Sequence, residues 1–391
     1  MHPSMHDMPD SRNWFTPPQD ARRRRFNEGA RDALRIRLDG RQMLNFAGND
    51  YLGLSFHPQV KQAAQHALQQ HGTGSGASRL ISGDDPLMHS LENELAAWKG
   101  YESCLLVGSG MLANLGLLQA LADRHTALFC DRLNHASLVD GGRLSGARVK
   151  RYAHLDMIQL ERLLQGAEAA RRIIVSDGVF SMDGDCGDVP ALLALAGKHD
   201  ALLLIDDAHG FGVLGEGGRG LTSVGPAGGW PAGHARLIEV GTCGKALGSY
   251  GAFILGTAEM IEGLRQGLRT MTYSTALPPA VIAASLAALQ VMQQSDVIGR
   301  LHDHIRLFRG LAEQRGLPLM PSDTPIQPMV LGGDAETLEA ASRLSDAGFF
   351  VPAIRPPTVP AGTSRLRITL SAAHREEDID ALVDALAGIV S

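Results

Sequence analysis

The chain has 391 residues, 44% of them hydrophobic, a size that suits one large domain with a smaller companion rather than a small module. Its net charge of −6 argues against nucleic-acid binding by bulk electrostatics. The four cysteines (Cys104, Cys130, Cys186, Cys243) are scattered without a CxxC pair, so neither a zinc site nor a disulfide framework is expected.

No window approaches the ~20 apolar residues of a membrane span, and the first twenty residues hold no apolar core of a secretory signal. A soluble, cytoplasmic protein is expected. One basic run, Arg22, Arg23, Arg24 and Arg25, stands out near the start. It reads either as a solvated helix face or as a grip on an anionic substrate.

Strands and amphipathic helices alternate through the middle of the chain. Ser103–Val107 reads as a strand, and Gly108, Ser109 and Gly110 turn from it into an apolar helix over 111–122. Residues 127–131 and 172–177 are the next two strands, the second followed by a Gly/Asp loop running to Asp188. A helix over 190–199, with Pro190 in its first turn, leads to the apolar strand 201–206. Residues 236–240 form a further strand, and 252–256 reads as an edge or reversing strand. This alternation predicts a mainly parallel sheet.

Near residues 275–279 the pattern changes. Helices over 280–294 and on to about residue 315 precede strands at 326–331 and 365–370. The expected organisation is an N-terminal segment (1–50), a large α/β domain (51–280) and a smaller α+β C-terminal domain (281–391).

Strand ends of parallel sheets are where ligands bind in open α/β folds. The 201–206 strand ends in Asp206, followed by Asp207, Ala208 and His209, and the 236–240 strand leads to Lys245 in a glycine-rich turn. A lone lysine there would be a solvated loop residue, and a lone Asp206 a helix cap. Together they suit pyridoxal 5′-phosphate (PLP): the lysine forms a Schiff base, and the aspartate keeps the pyridinium nitrogen protonated. His209 reads as a structural histidine or a cofactor contact. His135, just past another strand end, reads as a loop histidine or an imidazole stacked on a planar ring. Arg365 and Arg367 share one face of a strand, as a charged outer face or a carboxylate clamp.

A dinucleotide-binding alternative exists. Residues 108–113 fit GxGxxA after a strand, and Asp131 stands near the spacing of a ribose-binding carboxylate. That NAD-type oxidoreductase would leave Lys245, Asp206 and His209 without roles. No GxSxG elbow, Walker loop or HExxH zinc pattern occurs.

From about Asp20 onward the chain resembles the α-oxoamine synthase family of PLP enzymes, of the aspartate-aminotransferase fold type. The segments that carry the likeness are residues 49–54 (NDYLGL), 74–79 (GSGASR), 131–137 (DRLNHAS), 177–185 (DGVFSMDGD), 206–210 (DDAHG) and 242–245 (TCGK). Residues 354–363 and the closing 365–374 resemble the biotin-pathway branch, which joins L-alanine to a pimeloyl thioester on CoA or acyl-carrier protein. Other branches use glycine or serine with different acyl thioesters. Cys243 departs from many members, which carry another residue before the Gly-Lys pair.

The resemblance implies a homodimer with shared active sites. It implies that Lys245 anchors PLP and moves the Cα proton, that Asp206 pairs with the pyridinium nitrogen, and that His209 and Ser181 approach the ring's 3′ oxygen. His135 would stack on the ring. The Gly110 and Met111 amides and the Thr242 hydroxyl would hold the phosphate, joined by Ser274 and Thr275 of the other subunit. Arg367 would receive the amino-acid carboxylate, and Arg23 the acyl chain's anionic end.

Overall fold

The computed structural model describes residues 29–223 and 234–390. The described residues begin with three short antiparallel strands, β1 (Gly29–Arg31), β2 (Arg35–Leu38) and β3 (Arg41–Asn45). Helices α1 (Pro58–His71) and α2 (Pro86–Lys99) follow. The central sheet is then built from β4 (Ser103–Val107), β5 (Thr126–Asp131), β6 (Arg148–Tyr152), β7 (Arg171–Asp177), β8 (Leu202–Asp206), β9 (Leu237–Thr242) and β10 (Ala252–Gly256). Between these strands run α3 (Gly110–Leu121), α4 (Ala136–Leu144), α5 (Met157–Gln165) and α6 (Val189–Lys198).

The seven strands lie in the order β4-β10-β9-β8-β7-β5-β6. All but β10 run the same way, as the alternating pattern requires. The loop 243–251 is too short for a crossover helix, so β10 must return antiparallel to β9. It is the reversing strand, and it lies inside the sheet between β9 and β4 rather than at an edge. Alternate residues feed two apolar layers. Leu203 and Ile205 join the layer containing α2, whereas Leu204 joins the one containing α3. A sheet covered on both faces needs continuous apolar strands, which is what β5 and β8 supply.

Past β10, the short α7 (Ala258–Gly267) and α8 (Arg269–Thr272) lead to α9 (Pro279–Gln294) and α10 (Val297–Gln314). The C-terminal part comprises β11 (Ile326–Gly332), α11 (Asp334–Asp346), β12 (Phe349–Phe350), β13 (Ala353–Ile354), β14 (Ser364–Thr369) and α12 (Glu376–Val390). Its sheet has the order β11-β14-β13, all antiparallel. β12 instead pairs in parallel with β3, so residues 41–45 are hydrogen-bonded to the C-terminal part of the chain. Among the described residues, no single helix is long and apolar enough to cross a membrane.

Candidate active site

The C-terminal ends of β4, β5, β7, β8 and β9 lie along one edge of the sheet, and the candidate residues follow directly from them. β4 turns through Ser109 into α3, with the Ser109 hydroxyl accepting from the Leu112 amide at 3.3 Å. Among the described residues nothing accepts from the amides of Gly110 and Met111. A Cβ on Gly110 would meet nothing within 4 Å. The start of α3 is therefore an open N-terminus with free donors, the arrangement that suits a phosphate.

Asp206 closes β8 at 7% exposure. Its Oδ2 accepts from Asn114 Nδ2 at 2.6 Å and its Oδ1 from the Ala208 amide at 3.1 Å. Among the described residues no cation stands within ion-pairing distance of it. A nearly buried carboxylate calls for a compensating positive partner. Asp207 has one already: it lies with Lys99, at 4.0 Å, and accepts from the Leu221 amide at 2.8 Å. The structure thus distinguishes the two adjacent aspartates, and the one without a cation is at the sheet edge with Lys245.

Lys245 sits in the loop after β9. The turn closes at Gly248, whose φ of +61° suits glycine and where a Cβ would lie 2.2 Å from the Ser55 amide nitrogen. Burial lowers the Lys245 pKa to about 8, against an opposing pull from the Asp206 and Asp177 carboxylates and a small further push from Arg367. An amine so tuned is available as a base near neutral pH. Thr242, at the end of β9, donates its hydroxyl to the Gly251 carbonyl at 2.9 Å and accepts from the Gly244 amide at 3.1 Å.

His209 is buried, with Nδ1 at 2.6 Å from the Tyr51 hydroxyl. Burial, then Lys245 and Arg367, drive its pKa well below the usual value, so the ring is neutral. His135 caps α4 and keeps solvent access. Its amide donates to Asp177 Oδ2 at 2.7 Å, and desolvation lowers its pKa, with Asp206 opposing. Asp177 and Asp206 face each other in register on β7 and β8.

Arg365 and Arg367 are both buried, so the strand does not present a charged outer face. Arg365 Nη1 is paired with Asp183 Oδ1 at 2.5 Å. Arg367 donates to the Ser181 carbonyl at 2.6 Å and to Asn49 Oδ1 at 3.3 Å, and among the described residues it has no carboxylate partner. The two-arginine clamp resolves into one structural guanidinium and one left open. Ser181 is brought to the site by that bond. Ser274 and Thr275 line a small cavity with Gly108, on the α8 side of the α3 N-terminus. Arg23 lies outside the described residues.

Asp131, the candidate ribose ligand, has no free oxygen. Its carboxylate accepts from the Leu133 and Leu155 amides at 2.8 and 2.9 Å, and pairs with His154 at 3.0 Å. The dinucleotide alternative loses its second anchor. Sequence reasoning assigned no role to Tyr51, Asn49, Asp177, Ser137 or Asn114. For Asn114 a signal existed: a polar side chain one turn into a mostly apolar helix, fully buried in the structure, whereas the helix's other amide, Gln119, is exposed.

The class I and II aminotransferase family model matches residues 41–386. The 8-amino-7-oxononanoate synthase of Saccharophagus degradans is 47% identical over 360 residues, covering 91% of this chain and 90% of that protein. That of Chromohalobacter salexigens is 51% identical over 349 residues, covering 88% of each. The chain belongs to the 8-amino-7-oxononanoate synthase family, within the class I and II aminotransferases. Among solved structures, the family member from Francisella tularensis aligns with a TM-score of 0.75 at 29% identity, covering 89% of this chain and 98% of that one. Serine palmitoyltransferase from S. paucimobilis, solved with bound PLP and myriocin, aligns at a TM-score of 0.87 and 26% identity, covering 93% and 91%. The mainly parallel sheet expected from the alternating strands, and the aspartate-aminotransferase fold type that the family resemblance implies, are the fold observed.

Proposed function

We propose that this chain is a PLP-dependent acyltransferase that condenses L-alanine with a pimeloyl thioester, on CoA or acyl-carrier protein, to give 8-amino-7-oxononanoate, CO2 and free thiol. The observation that carries this reading is Asp206, a nearly buried carboxylate with no cation within ion-pairing distance among the described residues, on the same sheet edge as Lys245 with its lowered pKa. PLP, when bound, supplies an electron sink for the carbanion at the amino-acid Cα.

Its residues fit that cofactor. Lys245 would anchor it covalently, and the same amine, once free, would take the Cα proton. Asp206 would accept from the protonated ring nitrogen. The Gly110 and Met111 amides, with Thr242, would hold the phosphate. His135 would lie against the ring, and His209 with Ser181 would face its 3′ oxygen, His209 being steadied by Tyr51. Arg367 would take the alanine carboxylate, since Arg365 is committed to Asp183. Arg23 is the proposed contact for the distal carboxylate of the pimeloyl chain.

A homodimer is part of this reading. Ile81 and Tyr273 are 80% and 74% exposed. Leu80 and Met111 are exposed nearby, around α8 and the start of α3. A second copy covering this apolar surface would bring its Ser274 and Thr275 toward the phosphate.

The deciding assay is the initial rate of thiol release for pimeloyl, acetyl, succinyl and long-chain thioesters, each with alanine, glycine and serine. Alanine with a pimeloyl donor is expected to be fastest by a wide margin. A preference for glycine or serine with another donor would move the chain to a different branch of the same chemistry. A purified protein with no visible PLP absorbance, and none after added PLP, would overturn the reading altogether.

A further inference from the structure

Between Asp206 and His135 stand two residues with no part in the function above, Asn114 on α3 and Ser137 on α4. Asn114 is fully buried. Its Nδ2 donates to Asp206 Oδ2 at 2.6 Å and to Ser137 Oγ at 2.8 Å. Ser137 Oγ in turn lies 2.8 Å from His135 Nδ1, and the Ser137 amide points at the same nitrogen from 3.3 Å.

The proton positions along this chain follow from the donor inventory. An amide nitrogen only donates, and it has two protons. One goes to Asp206 and the other to Ser137, so the Ser137 oxygen is an acceptor there. A hydroxyl oxygen can accept twice, so the deciding donor is the Ser137 amide, which points its proton at His135 Nδ1; the Ser137 hydroxyl proton can then donate to the same nitrogen. Nδ1 then accepts, and the ring proton must be on Nε2. Turning the Asn114 amide over would set its Oδ1 against the Asp206 carboxylate with no proton between them, so the charge on Asp206 gives the chain its direction.

We infer that Asn114 and Ser137 are positioning residues in a hydrogen-bond relay of fixed polarity, Asn114 donating to Asp206 on one side and, through Ser137, toward His135 on the other, which holds His135 as the neutral Nε2–H tautomer. The backbone supports the same geometry, because the His135 amide is tied to Asp177 Oδ2 at 2.7 Å. The charged and titratable groups that face the ring are Asp206 on β8, Asp177 on β7, Lys245 after β9 and His209 after β8. Lys245 opposes a charged ring and Asp206 favours one, so the relay adds a preference that these two fields do not supply together. The consequence for catalysis rests on the proposed roles of His135 and Asp206 as cofactor contacts: an imidazole kept neutral stacks on the ring without adding a second positive charge beside Lys245. The relay itself is a property of the protein without cofactor.

The test uses cofactor-free protein labelled with ¹⁵N-histidine, with two-bond ¹H–¹⁵N correlation spectra recorded across pH and His135 assigned by His135→Gln. Wild type is expected to show the Nε2–H pattern. Ser137→Ala should bind a proton at His135 about tenfold more tightly, a shift of roughly one pKa unit, and Ser137→Thr should restore the wild-type titration. Asn114→Ala should move it in the same direction as Ser137→Ala; if that variant does not fold, the Ser137 pair decides alone. A wild-type Nδ1–H pattern, or a Ser137→Ala titration within twofold of wild type, would overturn the relay. A wild type that shows the Nε2–H pattern and the Ser137 response but takes up no PLP would overturn the proposed function and leave the relay standing.

Discussion

Asp206 and Asp207 are adjacent in sequence, face opposite sides of the central sheet and share no partner. Asp206 reaches Asn114 on α3, and Asp207 lies with Lys99 at the end of α2. Lys99 also pairs with Glu239 at 2.5 Å, and Tyr101 and Thr222 donate to the other oxygen of Glu239 at 2.8 and 2.6 Å. One aspartate belongs to a buried structural network and its neighbour to the candidate site.

Two variants separate them. Lys99→Met leaves Glu239 and Asp207 uncompensated inside the protein, and about 3–5 kcal/mol of stability should be lost, read as a fall in Tm. Asp206→Asn should leave Tm near wild type and still bind PLP, yet lose on the order of 10²-fold or more in turnover. Near-normal turnover in Asp206→Asn would remove the electron-sink role.

Lys245 predicts a pH dependence with a definite sign. Its pKa is lowered by burial to about 8, so the unprotonated amine becomes available well below the range of an ordinary lysine. The rate at which cofactor-free protein captures PLP should rise with pH and level off above about 8. In Asp206→Asn the midpoint should move lower, because a carboxylate that favours the charged amine is gone. Borohydride should attach the cofactor to Lys245 in wild type and leave Lys245→Ala unlabelled. Capture that is flat with pH would contradict the amine's proposed role.

The two β14 arginines should behave differently when truncated. Arg367→Ala should raise the KM for alanine roughly tenfold or more through loss of a charge-assisted contact. Arg365→Ala strips Asp183 of its partner and should lower Tm while changing the alanine KM less. Equal KM effects would mean that both guanidiniums reach the substrate.

The sheet edge that holds the site was legible because β4, β5, β7, β8 and β9 are apolar runs ending in turn residues, and buried parallel strands have to look like that. The spacing of Lys245 and Asp206 past two such runs then placed them together. Other features were hidden for physical reasons. The strands Arg35–Leu38 and Arg41–Asn45 are half charged or polar, and β12 is only two residues long, so their pairing has no local signature. Arg365 and Arg367 look equivalent until Asp183, from a loop some 180 residues earlier, is seen beside one of them. Asn114 could be seen as an oddity in α3, but its partners come from two other elements.

The position of β10 has a consequence for the order in which the site can be assembled on a growing chain. Among the described residues, β4, which leads to the free amides of Gly110 and Met111, is hydrogen-bonded in the sheet only to β10, which comes about 150 residues later. Until Gly256 has emerged from the ribosome, β4 has no place in the sheet, although β5, β7, β8 and β9 can already pair among themselves. A nascent chain halted just after Lys245 would therefore hold the lysine and Asp206 on a partial sheet while the proposed phosphate end was still unattached. Long-range closure of this kind is slow, so cofactor added during synthesis would find a complete pocket only after the reversing strand had docked.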